Sequence, residues 1–353
     1  MGDGTVFEGF QFGAEETKQG EVVFTTSMNG YPESLTDPSY KGQILVIAHP
    51  LIGNYGVPQK EYSQGVITNF ESERIMAEGL VISELTEGFK WNKHLGLDEW
   101  LSMEGVPGLY GIDTRLLILK IRENGVMPGV ISAEKLERVR FEQYESRNFV
   151  AEVSTKKPVS YGKGKEAVVV VDLGVKQSIL QNLIVRGFKV HLLPWNSSAE
   201  EIMKYEPKGI VFSNGPGNPY LLGSVADTLK EVLEYKVPIL GICLGHQLAA
   251  LAFGGAVKKM KYGHRAINKS VIDLETRRSY ITTHNHGYAL YKDGLPEDAK
   301  AWFISNDDGV VEGMKIGENM ITVQFHPEAR PGTNDTLFVF DIFARMIRHG
   351  KLQ

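Results

Sequence analysis

A single cysteine, Cys243, stands in a chain of 353 residues, which excludes internal disulfides and cysteine-rich metal sites. That scarcity fits a reducing, cytoplasmic setting. No apolar run approaches the ~18 residues that span a bilayer. Residues Met1 to Gly9 lack the basic and apolar segments of a secretory leader, so none is expected. Basic residues form no stripe and the formal charge is −5, which argues against a nucleic-acid binder. There is no Gly-x4-Gly-Lys-[Ser/Thr] phosphate loop and no dinucleotide fingerprint, so nucleotide chemistry is not expected in this chain. What is present is ordinary: 42% apolar and 23% charged residues, enough to bury a good core. The length suits two domains or one large one.

The two halves differ in pattern. Up to about residue 155, short β-branched runs such as Val22–Thr26 and Gln43–Ile47 are broken by turn residues, with helices expected at 97–101 and 114–122. Residues 156–166, rich in lysine, proline and glycine, read as a solvated linker. From 167 to 353, strand and helix alternate. Apolar strands at 167–172, 190–193, 209–213 and 238–242 are separated by helical patterns at 177–185, 198–203 and 226–235. Continuous apolar strands alternating with helices predict an α/β domain, its mainly parallel sheet covered on both faces. The amino-terminal half is expected to be a β-rich mixed α/β domain. Ligands of parallel sheets bind beyond the carboxyl ends of the strands.

Cys243 falls at such an end. Pro238 to Ile242 run into Gly241-Ile242-Cys243-Leu244-Gly245, and the helix-forming stretch 248–253 follows. This Gly-x-nucleophile-x-Gly arrangement turns a strand sharply into a helix and exposes the central side chain. The helix start favours the thiolate. A lone cysteine is more often a small buried hydrophobe; the glycine frame reverses the odds.

A thiol nucleophile needs a base, and the base needs an orienting group. Among nine histidines, His326 stands out, because it follows the apolar run Met320–Phe325 and precedes Glu328 by two residues. In extended chain such residues share a face, so Glu328 can hold the imidazole. The N–H of Leu244 and the main chain at Gly215-Pro216-Gly217 are the expected oxyanion donors. Gln247, one helical turn beyond Cys243, can meet the polar head of a substrate. His246 is expected to be structural. His284 and His286 read as a substrate-contact loop rather than a metal site, since no carboxylate or thiolate pair is visible near them. His49, His94, His191, His264 and His349 default to packing or surface roles.

Taken together, the elbow 241–247, the loop Ser213 to Gly217 and His326-Pro327-Glu328 resemble the three marks of class I glutamine amidotransferases, in that family's order. The likeness spans roughly 167 to 350. Residues 20–40, 49–56, 259–264 and 285–288 are similar to the small subunits of carbamoyl-phosphate synthetases, so the resemblance covers nearly the whole chain. It implies a glutaminase in which Cys243 attacks the amide of L-glutamine, His326 transfers protons and Glu328 completes the triad. Ser39, Gly215, Gly217, Leu244, Gln247, Asn285, Gly287 and Tyr288 would contact glutamine. It further implies that this chain holds no cofactor or metal. ATP, divalent metal and bicarbonate would belong to a separate large subunit that receives the ammonia, in arginine or pyrimidine synthesis.

There are departures from the family pattern. The chain begins at Asp3-Gly4-Thr5, where a strand usually precedes, which is expected to loosen that edge. Arg265-Ala266-Ile267 replaces a common His-Gly-Gly run, and Tyr288 stands where Phe is common. Rival readings are the glutaminase of another synthase, such as anthranilate or guanylate synthase, a catalytically silent stabilising subunit, and a free-standing γ-glutamyl hydrolase. The amino-terminal half argues against the first, and the intact triad against the second.

Overall fold

The computed structural model describes residues 1–86, 93–136 and 139–350. The amino-terminal half is built on strands β1 (Phe10–Gly13), β2 (Lys18–Thr25), β3 (Gln43–Ile47), β7 (Gly79–Val81), β9 (Pro107–Tyr110) and β10 (Met127–Ile131). Short pairs flank them: β4 (Val57–Pro58) with β8 (Lys93–Leu95), and β5 (Tyr62–Ser63) with β6 (Val66–Ile67). The main sheet runs β1-β9-β7-β3-β2-β10, with a parallel centre and antiparallel edges. Alternation along β2 and β3 gives each face its own core. Val23 and Leu45 pack with Trp100 and Leu101 of α2 (Leu97–Met103). Val22, Ile44 and Val46 pack with Leu117 and Ile121 of α3 (Thr114–Asn124). The short helix α1 (Tyr31–Thr36) follows β2 and leads to the turn that carries Asp37 and Ser39.

Helix α4 (Val150–Val153) joins the halves. The expected linker, 156–166, contains a strand, β11 (Val159–Tyr161), that pairs antiparallel with β13 (Phe188–Pro194). That second sheet runs β11-β13-β12-β14-β15-β20-β19-β17-β16-β18. Its parallel centre comprises β12 (Glu166–Asp172), β13, β14 (Gly209–Phe212), β15 (Ile239–Ile242) and β20 (Met320–Val323). The rest is antiparallel: a long hairpin of β16 (Val257–Asp273) and β17 (Ser279–Leu290), then β18 (Ala299–Ser305) and β19 (Val311–Ile316).

The valine run of β12 is buried on both faces, as its lack of alternation requires. Val168 and Val170 face α5 (Gln177–Val185) and α9 (Phe338–His349) through Leu180, Leu183, Phe340 and Phe343. Val169 and Val171 face α6 (Ala199–Met203), α7 (Gly223–Glu234) and α8 (Leu244–Ala252) through Ile202, Leu229 and Leu248. Each fully buried large side chain contributes about 1.5–3 kcal/mol, so this sandwich holds the carboxyl ends of β14, β15 and β20 firmly in place. No helix among the described residues is long and apolar enough to cross a membrane.

Candidate active site

β15 ends at Cys243, which has φ 52° and ψ −97°, and α8 begins at the next residue. A non-glycine residue in this region carries strain of about 1–3 kcal/mol. The chain is pinned on both sides: Cys243 N–H donates to Val323 O at 2.8 Å, and Gly245 N–H to Ser213 O at 3.1 Å. The glycine frame is obligatory. A Cβ on Gly245 would lie 2.2 Å from Phe212 O, and one on Gly241 would lie 2.9 Å from Gly245 O. The Cys243 thiol lies 3.7 Å from Asn285 O and receives the Gln324 amide at 3.5 Å.

His326 follows β20 and is fixed through its backbone N–H to Thr283 O at 2.8 Å. Its Nδ1 donates to Glu328 Oε1 at 2.6 Å, which leaves Nε2 as the other ring nitrogen, not engaged by the carboxylate. Nε2 has no hydrogen-bond partner of normal length. Burial alone would depress the His326 pKa. The Glu328 carboxylate overturns this, helped by the Cys243 thiol against the opposing charge of Lys176, and the imidazolium is held up to about 10. Burial likewise opposes ionisation of Glu328, but Lys176 and His326 outweigh it and draw its carboxyl down to about 2.

Lys176 is a site residue that the sequence reading missed. It is only 1% exposed, lies 3.1 Å from Glu328 Oε1 and donates to Ala329 O at 2.5 Å. Its backbone N–H meets Asn214 Oδ1 at 3.1 Å, tying the first βα loop to the glycine loop. The available signal was a lone lysine between the end of the first strand and its helix, in a domain whose strand ends form the site. Gln324 was missed too. Its Oε1 accepts from Gln247 Nε2 at 3.0 Å, so one amide links the thiol to Gln247.

Beside the thiol opens a pocket lined by Ser39, Gly215, Gly217, Gln247, Asn285, Gly287 and Tyr288, which gathers seven of the eight expected glutamine contacts. The eighth, Leu244, is buried in the core beneath and offers only its main chain. Asn285 of this wall, and Asn214 just before its glycine loop, are held from the amino-terminal half. Asn285 Nδ2 donates to Asp37 Oδ2 at 2.8 Å, and Asn214 Nδ2 donates to Ser39 Oγ at 3.0 Å. Gly215 packs against backbone: an added Cβ would sit 2.0 Å from Leu173 O and 2.9 Å from Leu244 Cδ2. Gly215→Ala is therefore expected to push the loop away from the elbow. The drop in turnover at the thiol should be about 10²–10³, the range for a lost oxyanion donor. Steady-state kinetics that matched the unmodified chain would remove this loop from the chemistry.

The chain matches the family "Glutamine amidotransferase class-I" over residues 169–346 and "Carbamoyl-phosphate synthase small chain, CPSase domain" over residues 1–131. It is 58% identical to the carbamoyl phosphate synthase small chain of Sulfolobus acidocaldarius, over 98% of this chain and 95% of that one. The corresponding protein of Sulfurisphaera tokodaii is 56% identical with the same coverage, and that of Pyrococcus furiosus is 50% identical over 99% and 97%. The chain belongs to the carbamoyl-phosphate synthase small-chain family. It is accordingly a glutamine-hydrolysing amidotransferase subunit.

Within this small chain the remaining histidines take positions that sequence reasoning saw only in part. His246 is structural as expected: it is fully buried, bonds Thr322 Oγ1 at 2.8 Å, and burial depresses its pKa to about 3. His191 bonds Ser160 Oγ at 2.8 Å. His264, expected to pack or to lie at the surface, instead joins a buried cluster with His284, His286 and Glu312. In β17, Asn285 and His286 both border the pocket, while His284 lies outside its lining and is fully enclosed in the cluster. The carboxylate that the sequence did not place beside them arrives from β19, a strand that no motif marked. Among the described residues, this one group of histidines and carboxylates is close enough to hold a metal.

Proposed function

We propose that this small chain hydrolyses L-glutamine at Cys243 and passes the ammonia to a separate large subunit, which makes carbamoyl phosphate from bicarbonate and ATP. The observation that carries the mechanism is the strained Cys243 at the β15–α8 junction, close to the His326–Glu328 pair. The thiolate adds to the γ-carboxamide carbon. The resulting oxyanion is held by the Leu244 N–H and the main chain at Gly215–Gly217. His326 gives its proton to the leaving nitrogen, so the C–N bond breaks, ammonia departs and a γ-glutamyl thioester remains. Neutral His326 then takes a proton from water, hydroxide adds to the thioester carbonyl, and glutamate leaves as the thiol is regenerated.

Asn285, Gln247, Tyr288 and Ser39 orient the substrate from both halves of the chain, while Glu328 and Lys176 position His326. In this reading residues 1–155 form the small-chain amino-terminal domain, 156–166 the connection and 167–353 the amidotransferase domain. The chain works in the cytoplasm, where its one thiol stays reduced. A chloroketone analogue of glutamine should label the chain once, at Cys243, and excess glutamine should protect it. Mass spectrometry of the labelled peptide checks this, and equal labelling of Cys243→Ser would overturn it.

A further inference from the structure

We infer that His264, His284, His286 and Glu312 form a closed site for a divalent transition-metal ion of the zinc class. Side-chain orientation carries the inference. Three strands contribute: His264 from β16 lies opposite His286 of β17, His284 is two residues earlier on the same face, and Glu312 comes from β19. All four are buried, with one ligand atom of each within 4.8 Å of all the others.

The outward-facing ring nitrogens are all engaged, and their partners fix the tautomers. His286 Nδ1 meets Tyr288 O at 2.8 Å; a carbonyl only accepts, so Nδ1 is the donor. His284 Nε2 meets Thr282 Oγ1 at 2.7 Å, and that hydroxyl already donates to Lys269 O at 2.8 Å, so Nε2 is the donor. His264 Nε2 donates to the Asp308 carboxylate at 2.9 Å. A neutral imidazole with one nitrogen protonated has a lone pair on the other. Two lone pairs, on His284 Nδ1 and His286 Nε2, therefore point inward with the Glu312 carboxylate, and His264 Nδ1 faces the same centre.

Apart from His264 Nδ1, whose ring's protonation is opposed by burial yet favoured by Asp308 and Glu312, that centre is built of acceptors. His284 Nδ1 and His286 Nε2 lie 3.2 Å apart, and with the tautomers fixed by their outer partners neither carries a hydrogen to share. Glu312 Oε1 lies 3.6 Å from His264 Nδ1, and Oε2 lies 3.6 Å from His284 Nδ1. At that length these are not hydrogen bonds. Both Glu312 oxygens and His264 Nδ1 are left without partners although fully buried. Buried polar atoms left unpaired are costly. A tetrahedral ion with bonds of ~2.0–2.1 Å has ligand–ligand edges of about 3.3 Å, close to these three spacings, and a group that spans up to 4.8 Å would draw in slightly around it. An outer carboxylate, a carbonyl and a hydroxyl orienting three imidazoles match the support shell of metal-bound histidines. Four protein ligands leave no open position, so the ion would clamp β16, β17 and β19 behind Asn285 and take no part in the chemistry.

The sequence reading expected no metal in this chain, because Glu312 and His264 were not seen beside His284 and His286. The test does not depend on the glutaminase reading. The full-length chain, carrying Cys243→Ser so that the thiol cannot bind metal, is purified, stripped with a chelator and titrated with zinc and with cobalt(II). About one ion per chain is expected, the stoichiometry of a closed four-ligand site. Cobalt should give the intense visible bands of tetrahedral coordination, and zinc should raise Tm. Asp308→Asn should weaken zinc about 10–100-fold, as loss of an outer partner does. Glu312→Gln and, separately, His284→Gln should abolish the cobalt spectrum. No binding by the stripped chain, octahedral cobalt, or a tetrahedral spectrum retained in both of the last two variants would overturn the site. In the first case, the cluster would be held together by protons alone.

Discussion

Replacing Cys243 with serine is expected to abolish carbamoyl phosphate synthesis from glutamine while leaving synthesis from ammonium salts near its normal rate. The complex to assay is the variant small chain reconstituted with an unmodified large subunit. The first effect should be very large, since loss of a nucleophile costs on the order of 10⁶ in kcat where this has been measured. The second follows because added ammonia bypasses the thioester. The substitution should be structurally quiet. The thiol's contacts, Asn285 O at 3.7 Å and the Gln324 amide at 3.5 Å, are long and weak, and the strained backbone is held by strand and loop bonds of the main chain. Equal loss with both nitrogen sources, in a complex that still assembles, would mean that Cys243 serves assembly or the synthetase step.

Removal of His326 should cost about 10²–10⁴ in glutaminase rate, the usual worth of positioned proton transfer, with little change in fold. Glu328 requires a different expectation from the one its place in a triad suggests. Glu328→Ala leaves His326 present but poorly oriented, so the catalytic loss should be the smaller of the two. Its structural cost should be larger, because Lys176, 1% exposed, would lose the carboxylate 3.1 Å away. Breaking a buried ion pair from one side costs about 3–5 kcal/mol, whereas replacing both partners with neutral groups is often close to neutral. Chemical denaturation should therefore show Glu328→Ala strongly destabilised and Lys176→Met/Glu328→Gln largely restored. Glutaminase kinetics of the double variant then report the positioning role alone.

The sign with pH follows from the depressed Glu328 carboxyl. Its stabilisation is complete above the ordinary value of 4.5 and disappears as pH falls toward about 2. Denaturation midpoints of the unmodified chain should fall across that window more steeply than those of the double variant. Matching slopes would remove Glu328 from the account of acid stability.

Local signals made much of this architecture legible. The elbow could be read because tight backbone turns demand glycine at fixed offsets, and Gly241 and Gly245 leave no room for a Cβ. The buried strands at 166–172 and 239–242 could be read because parallel strands covered on both faces show unbroken apolar runs. The antiparallel extension was not legible. β16 and β17 carry many charged and polar residues over 257–290, and two register shifts interrupt their pairing, so no clean period of two survives. Without that hairpin, nothing in the sequence brings His264 opposite His286 or Glu312 beneath His284. Lys176 escaped for a related reason. Its partner Glu328 lies 152 positions away by residue number, and only the closing of β15 against β20 brings the two loops together.

The grip of Asp37 and Ser39 on Asn285 and Asn214 bears on how the chain can be divided or recombined. An excised amidotransferase half would keep its nucleophile elbow and lose the braces of its pocket wall. Exchange of halves between relatives must carry positions 37, 39, 214 and 285 together, as one unit of inheritance that straddles the boundary. The amino-terminal half thus lines the candidate pocket, and the seam between the halves is a poor place to cut.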